Sequence, residues 1–207
     1  MSTISIIGTG NMARTIGTLA VAGGNTVEVI GRDRSKAADL AKALGANATT
    51  GEFGAVPAGD IVIVTLLYAS VVPVVAQYGD ALAGKIIVDI SNPFNSAADG
   101  LAHGEGTSIA QQAAEVAPAS ASVVKAFNTI FRHVLEKGRP AVFIAGDDAQ
   151  AKAAVAAFVE SLGLRPLDVG GLKMAHWLEG LGVITVSLAG NGVGHGNFAL
   201  GVDEFSG

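Results

Sequence analysis

The sequence predicts an α/β fold: a doubly wound, mainly parallel sheet with a small C-terminal helical segment. Three observations carry this. Short runs of Ile, Val, Phe and Thr alternate with Ala-rich helical runs almost from end to end, the pattern that builds helix-covered parallel sheets. Most of the short runs are apolar at successive positions, as strands buried on both faces must be. A glycine-rich turn joins the first strand candidate to the first helix candidate.

Taken in order, the strand candidates are residues 4–7, 26–30, 61–66, 86–90, 123–126 and 142–145, each bounded by Gly, Asp or Pro. Helix candidates lie between them at 12–22, 35–44, 70–83, 108–115 and 149–162. The last opens on Asp147-Asp148, a cap with negative charge at the helix N-terminus, and stops at Gly163. Residues 164–169 read as one more strand and 171–190 as a final apolar helix, while 95–106 reads as loop. A dinucleotide-binding domain over 1–146 and a completing segment over 147–207 are the expected organisation.

Composition narrows the function classes. The 207 residues include no Cys, which removes disulfides, thiolate metal sites and a Cys nucleophile. A net charge of −5 with 13 thinly spread basic residues offers no phosphate-tracking stripe, so nucleic acid is not an expected partner. The N-terminal residues lack a basic region followed by a long apolar run, and the most apolar stretches, 61–67 and 181–189, are far short of the roughly 20 residues of a membrane helix. A cytoplasmic location away from membranes follows as an expectation. Only 15% of residues are charged, against about a quarter in ordinary domains, and the under-charged surface points to a homodimer.

Gly8-Thr9-Gly10-Asn11-Met12-Ala13 matches the G-x-G-x-x-G/A dinucleotide fingerprint. With 28 Gly and 36 Ala in the chain, about one match is expected by accident. A second one exists, Gly194-His195-Gly196-Asn197-Phe198-Ala199. Context separates them. The first follows a strand and opens a helix; the second follows an apolar helix, which marks it as a decoy. At the first, Gly8 permits the tight turn, Gly10 lets backbone approach a pyrophosphate and Ala13 keeps helix close to strand. The N–H groups around Asn11 and Met12 face the phosphates at the positive helix end. An NAD site of this Rossmann type usually has an acid after the second strand. Here Gly31 stands in that place, followed by Arg32, Arg34 and Lys36, which suits the 2′-phosphate of NADP. Asp33 is expected to cap the next helix rather than bind a ribose.

An acid–base apparatus is hard to find. His103, His133, His176 and His195 are scattered without metal-ligand spacing, so no metal and no catalytic side chain are assigned. Lys173 near the last helix reads as surface. The strand ends are more informative, because ligands of open α/β sheets bind there. They are Thr65-Leu66-Leu67-Tyr68, Ser91-Asn92-Pro93-Phe94-Asn95 and Lys125-Ala126-Phe127-Asn128-Thr129, with Leu66, Leu67, Tyr68, Ser91, Asn92, Pro93, Ala126 and Asn128 the candidates to line the site. These make an apolar cleft with a few amides and hydroxyls, suited to a flat redox ring. Hydride transfer between two cofactors needs stacking and orientation rather than a protein acid.

On these residues the chain resembles the coenzyme F420-dependent NADP oxidoreductase family over essentially its full length. The likeness rests on residues 7–12, Gly31-Arg32 with Lys36, and Ser91-Asn92-Pro93. It continues in 145–148, in Gly163-Leu164-Arg165-Pro166-Leu167-Asp168 and in the tail Asn191-Gly192-Val193-Gly194. It implies NADP held by Thr9, Gly10, Asn11, Met12, Arg32 and Lys36, with the nicotinamide near the loops after Leu66 and Ala126. A deazaflavin would be enclosed by the 91–94 loop, the 128–131 segment and the tail. Two features depart from the family pattern: Gly31, where a Ser is common, and the 126–133 segment, which lacks the expected Pro. The rival readings are an NADPH-dependent reductase of a flavin or a small imine or carbonyl, and an NADP-sensing module without turnover.

Overall fold

The structure is a computed structural model that describes residues 2–102, 104 and 106–205; His103 lies outside them. The strands are β1 (Thr3–Ile7), β2 (Thr26–Ile30), β3 (Ala48–Gly51), β4 (Ile61–Val64), β5 (Ile86–Asp89), β6 (Ser122–Lys125), β7 (Ala141–Gly146) and β8 (Arg165–Gly170). The helices are α1 (Asn11–Ala22), α2 (Arg34–Leu44), α3 (Tyr68–Tyr78), α4 (Ile109–Val116), α5 (Arg132–Leu135), α6 (Ala149–Ser161) and α7 (Ala175–Gly190). All eight strands join one sheet in the order β3-β2-β1-β4-β5-β6-β7-β8. Every pairing is parallel except β6 with β7. This is the doubly wound α/β architecture that the alternation predicts.

The double apolar patterning has a direct structural counterpart. Ile4 and Ile6 of β1, with Ile61 and Ile63 of β4, pack into one core layer with α1, α2 and α6. Their neighbours Ile7, Val62 and Val64 pack into the other layer with α3 and α4. A strand covered on both faces needs apolar side chains at every position, because successive residues point to opposite layers.

Four elements differ from the sequence reading. Strand β3 is additional; its ATTG sequence is short and partly exposed at the sheet edge, so it carries no apolar run to detect. Helix α3 begins at Tyr68 and gives way to a 3-10 turn at Gly79–Leu82. The 131–140 connection contains only the one-turn α5. Without a crossover helix the chain turns back, and β7 runs antiparallel to β6. The segment after residue 147 supplies edge strand β8 to the same sheet, with α6 and α7 packed against it.

The chain goes outward from β1 through β2 to β3 and then returns to β4 on the other side of β1. Strand order therefore reverses between β1 and β4, and a crevice opens beyond their carboxyl ends.

Candidate dinucleotide site

The β1–α1 turn sits in this crevice. Gly8 has φ +132°, and a Cβ there would lie 2.2 Å from Thr65 Oγ1 and 2.8 Å from the Thr65 carbonyl oxygen. Glycine is required at this position by backbone conformation and by the end of β4. Gly10 is different. It precedes α1 at φ −82°, ψ −172°, which any residue adopts, and a Cβ there would meet nothing within 4 Å. Neither strain nor packing inside the protein calls for glycine at Gly10; open space lies above it. The helix behind it has no side-chain cap and no acidic residue in its first turn. Its leading N–H groups, at Asn11, Met12 and Ala13, thus lack an internal anion at the positive end of the helix dipole. Ala13 is fully buried against the sheet.

The end of β2 faces the same space. A Cβ at Gly31 would lie 2.9 Å from Thr9 Cγ2, so any side chain here would have to displace the Thr9 methyl. Asp33 caps α2: its Oδ1 accepts from the Ser35 N–H at 3.0 Å and the Lys36 N–H at 3.2 Å. Those bonds, the one from Lys36 foremost, hold its carboxyl below the ordinary 3.8. Arg34 pairs with Glu52 across the surface, whereas Arg32 makes no ion pair among the described residues. A pocket of about 190 Å3 is lined by Gly8, Thr9, Gly31, Arg32, Lys36 and Leu66, together with Phe53. Arg32 also borders an adjoining recess with Arg34 and Glu52. The predicted glycine turn and cationic loop therefore meet in one pocket.

Beyond Leu66 the ends of β4, β5 and β6 form the second half of the crevice. Leu67 is 82% exposed and precedes α3, whose first residue is the half-buried Tyr68. After β5 and β6, Asn92 and Asn128 pair reciprocally. Asn128 Nδ2 donates to Asn92 Oδ1 at 2.9 Å, and Asn92 Nδ2 donates to the Asn128 carbonyl at 2.6 Å. Asn128 Nδ2 also reaches the Leu178 carbonyl of α7 at 2.8 Å. Ser91 and Pro93 are buried in the same turn, and Ala126 is packed fully into the core below.

Under this turn lies a buried ion group that the sequence does not foretell, although Lys125 opens one of the strand-end segments singled out there. Lys125 is wholly buried and donates to Asp89 Oδ2 at 2.7 Å, Glu179 Oε1 at 2.7 Å and the Ser91 carbonyl at 2.6 Å. Asp89 and Glu179 are wholly buried too. The detectable signal was a charged residue closing each of two apolar strands, and these two are partners in the β5–β6 register.

None of the three described histidines belongs to a group that could hold a metal ion. His133 Nε2 lies 2.9 Å from the Gly196 carbonyl, His176 Nδ1 lies 2.8 Å from the Thr107 carbonyl, and His195 sits in an exposed turn. Lys173 borders a separate recess with Met174, His176 and Trp177. No group of three or more His, Asp or Glu among the described residues could hold a metal ion, and no helix is long and apolar enough to cross a membrane. The decoy glycines occupy a 3-10 turn after α7, with no strand before them. The tail packs on the 131–137 segment through Phe198 on Phe131, at 5.9 Å between centroids, and Asn197 on Lys137 at 2.6 Å.

Residues 3–93 match the family model described as NADP oxidoreductase, coenzyme F420-dependent. The likeness to this family holds. Among curated proteins, the chain is 29% identical over 139 residues to the F420-dependent NADP reductase of Methanocaldococcus jannaschii, covering 63% of this chain and 62% of that one. It is 34% identical over 185 residues to the metalloreductase STEAP3 of Rattus norvegicus, 86% of this chain but 36% of that one. The chain thus spans between about a third and three fifths of the curated relatives it matches. A solved protein of Arthrobacter sp. FB24, provisionally described as an F420-dependent NADP-reductase, superposes with TM-score 0.85 at 27% identity over 99% of this chain and all of that one. An imine reductase of Aspergillus terreus, at 20% identity, TM-score 0.70 and coverage of 90% and 61%, shares the fold.

Proposed function

We propose that this chain is an NADP-dependent oxidoreductase. It moves a hydride between NADP(H) and a deazaflavin such as coenzyme F420, or a similarly flat acceptor, with no protein acid or base. The observation that carries the reading is Gly10: a glycine with no internal reason to be one, at an uncapped helix N-terminus, opening beside a pocket lined by Arg32 and Lys36. A dinucleotide fits these residues. Gly8, Thr9, Gly10, Asn11 and Met12 would offer backbone N–H groups to the pyrophosphate. Arg32 and Lys36, with Gly31 leaving the space open and Arg34 at the recess behind, would hold the 2′-phosphate.

When bound, the nicotinamide supplies the hydride. The chain's own residues orient and enclose it: Leu66, Leu67 and Tyr68 from one side, Ser91, Asn92, Pro93 and Asn128 from the other; Ala126, expected from the sequence to border the ring, lies wholly in the core below instead. Apolar walls exclude water, and alignment of two flat rings supplies the rate. In this reading residues 1–146 bind NADP, and 147–207 complete the cleft for the second ring. The reading includes a homodimer, supported by the apolar outer side of α7, where Trp177 is 66% and Ile184 53% exposed.

A second reading keeps the NADPH site and replaces the deazaflavin by a flavin. The 34% identity to STEAP3, whose name describes reduction of a metal, supports an acceptor other than F420. The test is an anaerobic NADPH-oxidation screen with F420, FMN, FAD and a panel of imines. Turnover with F420 supports the first reading, and turnover with FMN or FAD alone supports the second. No turnover with any of them, despite NADPH binding, would leave a sensing module.

A further inference from the structure

The wholly buried Lys125 has a use that packing alone does not explain. An ammonium has three N–H donors, and Lys125 spends them on acceptors from three separate segments: Asp89 at the end of β5, the Ser91 carbonyl in the following turn, and Glu179 on α7. Glu179 Oε1 also accepts from the Ile109 N–H at 3.0 Å, at the start of α4. Asp89 Oδ1 accepts from the Ser91 N–H at 2.9 Å. The Ser91 backbone is therefore fixed at both its N–H and its carbonyl by the same buried ion group.

The contacts of α7 with this region follow one helix face. Leu178 receives the Asn128 amide, Glu179 meets Lys125, and Thr185 Oγ1 lies 3.5 Å from the Thr129 carbonyl. At Gly182 a Cβ would lie 2.7 Å from Asn92 Oδ1, so the Asn92 amide fills the space a side chain would take. Two buried polar atoms beside this seam have no partner among the described residues: Ser91 Oγ and Asn128 Oδ1. An acceptor and a hydroxyl left unmet in the protein are complementary to a ligand group bearing N–H donors.

We propose that Lys125, Asp89 and Glu179 form a positioning unit. It holds the Ser91–Asn92 turn, the Asn128 amide and α7 as the wall that receives the carboxamide end of the dinucleotide. This rests on the NADP reading above. None of the three touches the reacting atoms; they act through the turn and the helix. Glu179 is the member that couples the wall to the sheet, because it alone of the three lies on α7.

The test compares two ligands on the full chain, by fluorescence or calorimetric titration well below the melting temperature. NADPH reports both ends of the dinucleotide, whereas 2′,5′-ADP reports only the Arg32–Lys36 end. In Glu179→Ala, NADPH weakens roughly fivefold or more while 2′,5′-ADP is unchanged. Glu179→Gln retains an acceptor oxygen for Lys125 and Ile109 and restores NADPH affinity. If Glu179→Ala does not fold, Gly182→Ala displaces Asn92 from the same wall and is expected to show the same selective loss. Unchanged NADPH affinity in the folded variant overturns the proposal. Parallel weakening of both ligands overturns it in favour of a purely structural triad. A wild-type chain that binds neither ligand overturns the NADP reading instead.

Discussion

The two leading glycines of the first turn should fail in opposite ways, because one is required by the protein and the other only by a ligand. In Gly8→Ala the new methyl lies 2.2 Å from Thr65 Oγ1 and 2.8 Å from the Thr65 carbonyl oxygen, at φ +132°. Overpacking costs about 1–3 kcal/mol and the strained backbone about 1–3 kcal/mol more. A total near 4 kcal/mol lowers the melting temperature by roughly 8–16 °C in a chain of this length. In Gly10→Val the added Cβ meets no heavy atom within 4 Å beyond its chain neighbours, so the side chain grows from open space. The fold then loses at most about 1 kcal/mol from the weaker helix cap. Two or more charge-assisted N–H bonds to the pyrophosphate are blocked, worth about 3 kcal/mol together, or roughly 150-fold in NADPH affinity. Thermal melting and NADPH titration of both variants read the two effects. A Gly10→Val protein that binds NADPH normally would refute the reasoning, as would a Gly8→Ala protein as stable as the parent.

Other outcomes follow from the same geometry. Arg32→Ala loses a charge-assisted contact of about 1.5 kcal/mol; titration should show NADPH weakened about tenfold and NADH hardly at all. Gly196→Val, in the second glycine match, leaves NADPH affinity unchanged in the same titration. Asp33 has a lowered folded pKa, from the N–H bonds of Lys36 and Ser35. Its stabilising contribution is complete above the ordinary carboxylate value and is lost as pH falls through the folded one. Asp33→Asn, which keeps the cap acceptor without the titration, should flatten that acid limb in melting curves. His133→Ala, His176→Ala and Lys173→Ala each lower turnover by about tenfold or less, below the loss typical of a general acid or base. Truncation from Asn191 costs more in the same steady-state assay, because it removes the packing of Phe198 on Phe131.

How legible each feature was in the sequence depended on how local its physics is. Strands β1, β4 and β5 announce themselves because burial on both faces forces continuous runs such as Ile61-Val62-Ile63-Val64. The glycine turn and the Asp33 cap are also local, set within a few residues. Strand β3 was invisible because Thr49 and Thr50 lie exposed at the sheet edge. The reversal at β7 depends on what a 15-residue connection fails to contain, and a one-turn helix leaves no periodic signal. Lys125 was the least legible of all. Its partners lie 36 and 54 residues away, and a lysine is almost never fully buried unless paired, so only the assembled fold reveals that role. Arg34 shows the same limit in reverse: it shares the basic loop with Arg32, but Glu52 from the far side of β3 engages it.

The central claim is direct hydride passage between NADPH and a flat acceptor in the crevice beyond β1, β4, β5 and β6. The most direct measurement follows NADPH deuterated at its transferable position, mixed anaerobically with the enzyme and F420, and determines where the label goes. The account predicts deuterium carried into reduced F420 from one face of the nicotinamide, without exchange into water. Oxidation of NADPH with the label lost to solvent, or no oxidation by F420 or any flavin, would contradict it.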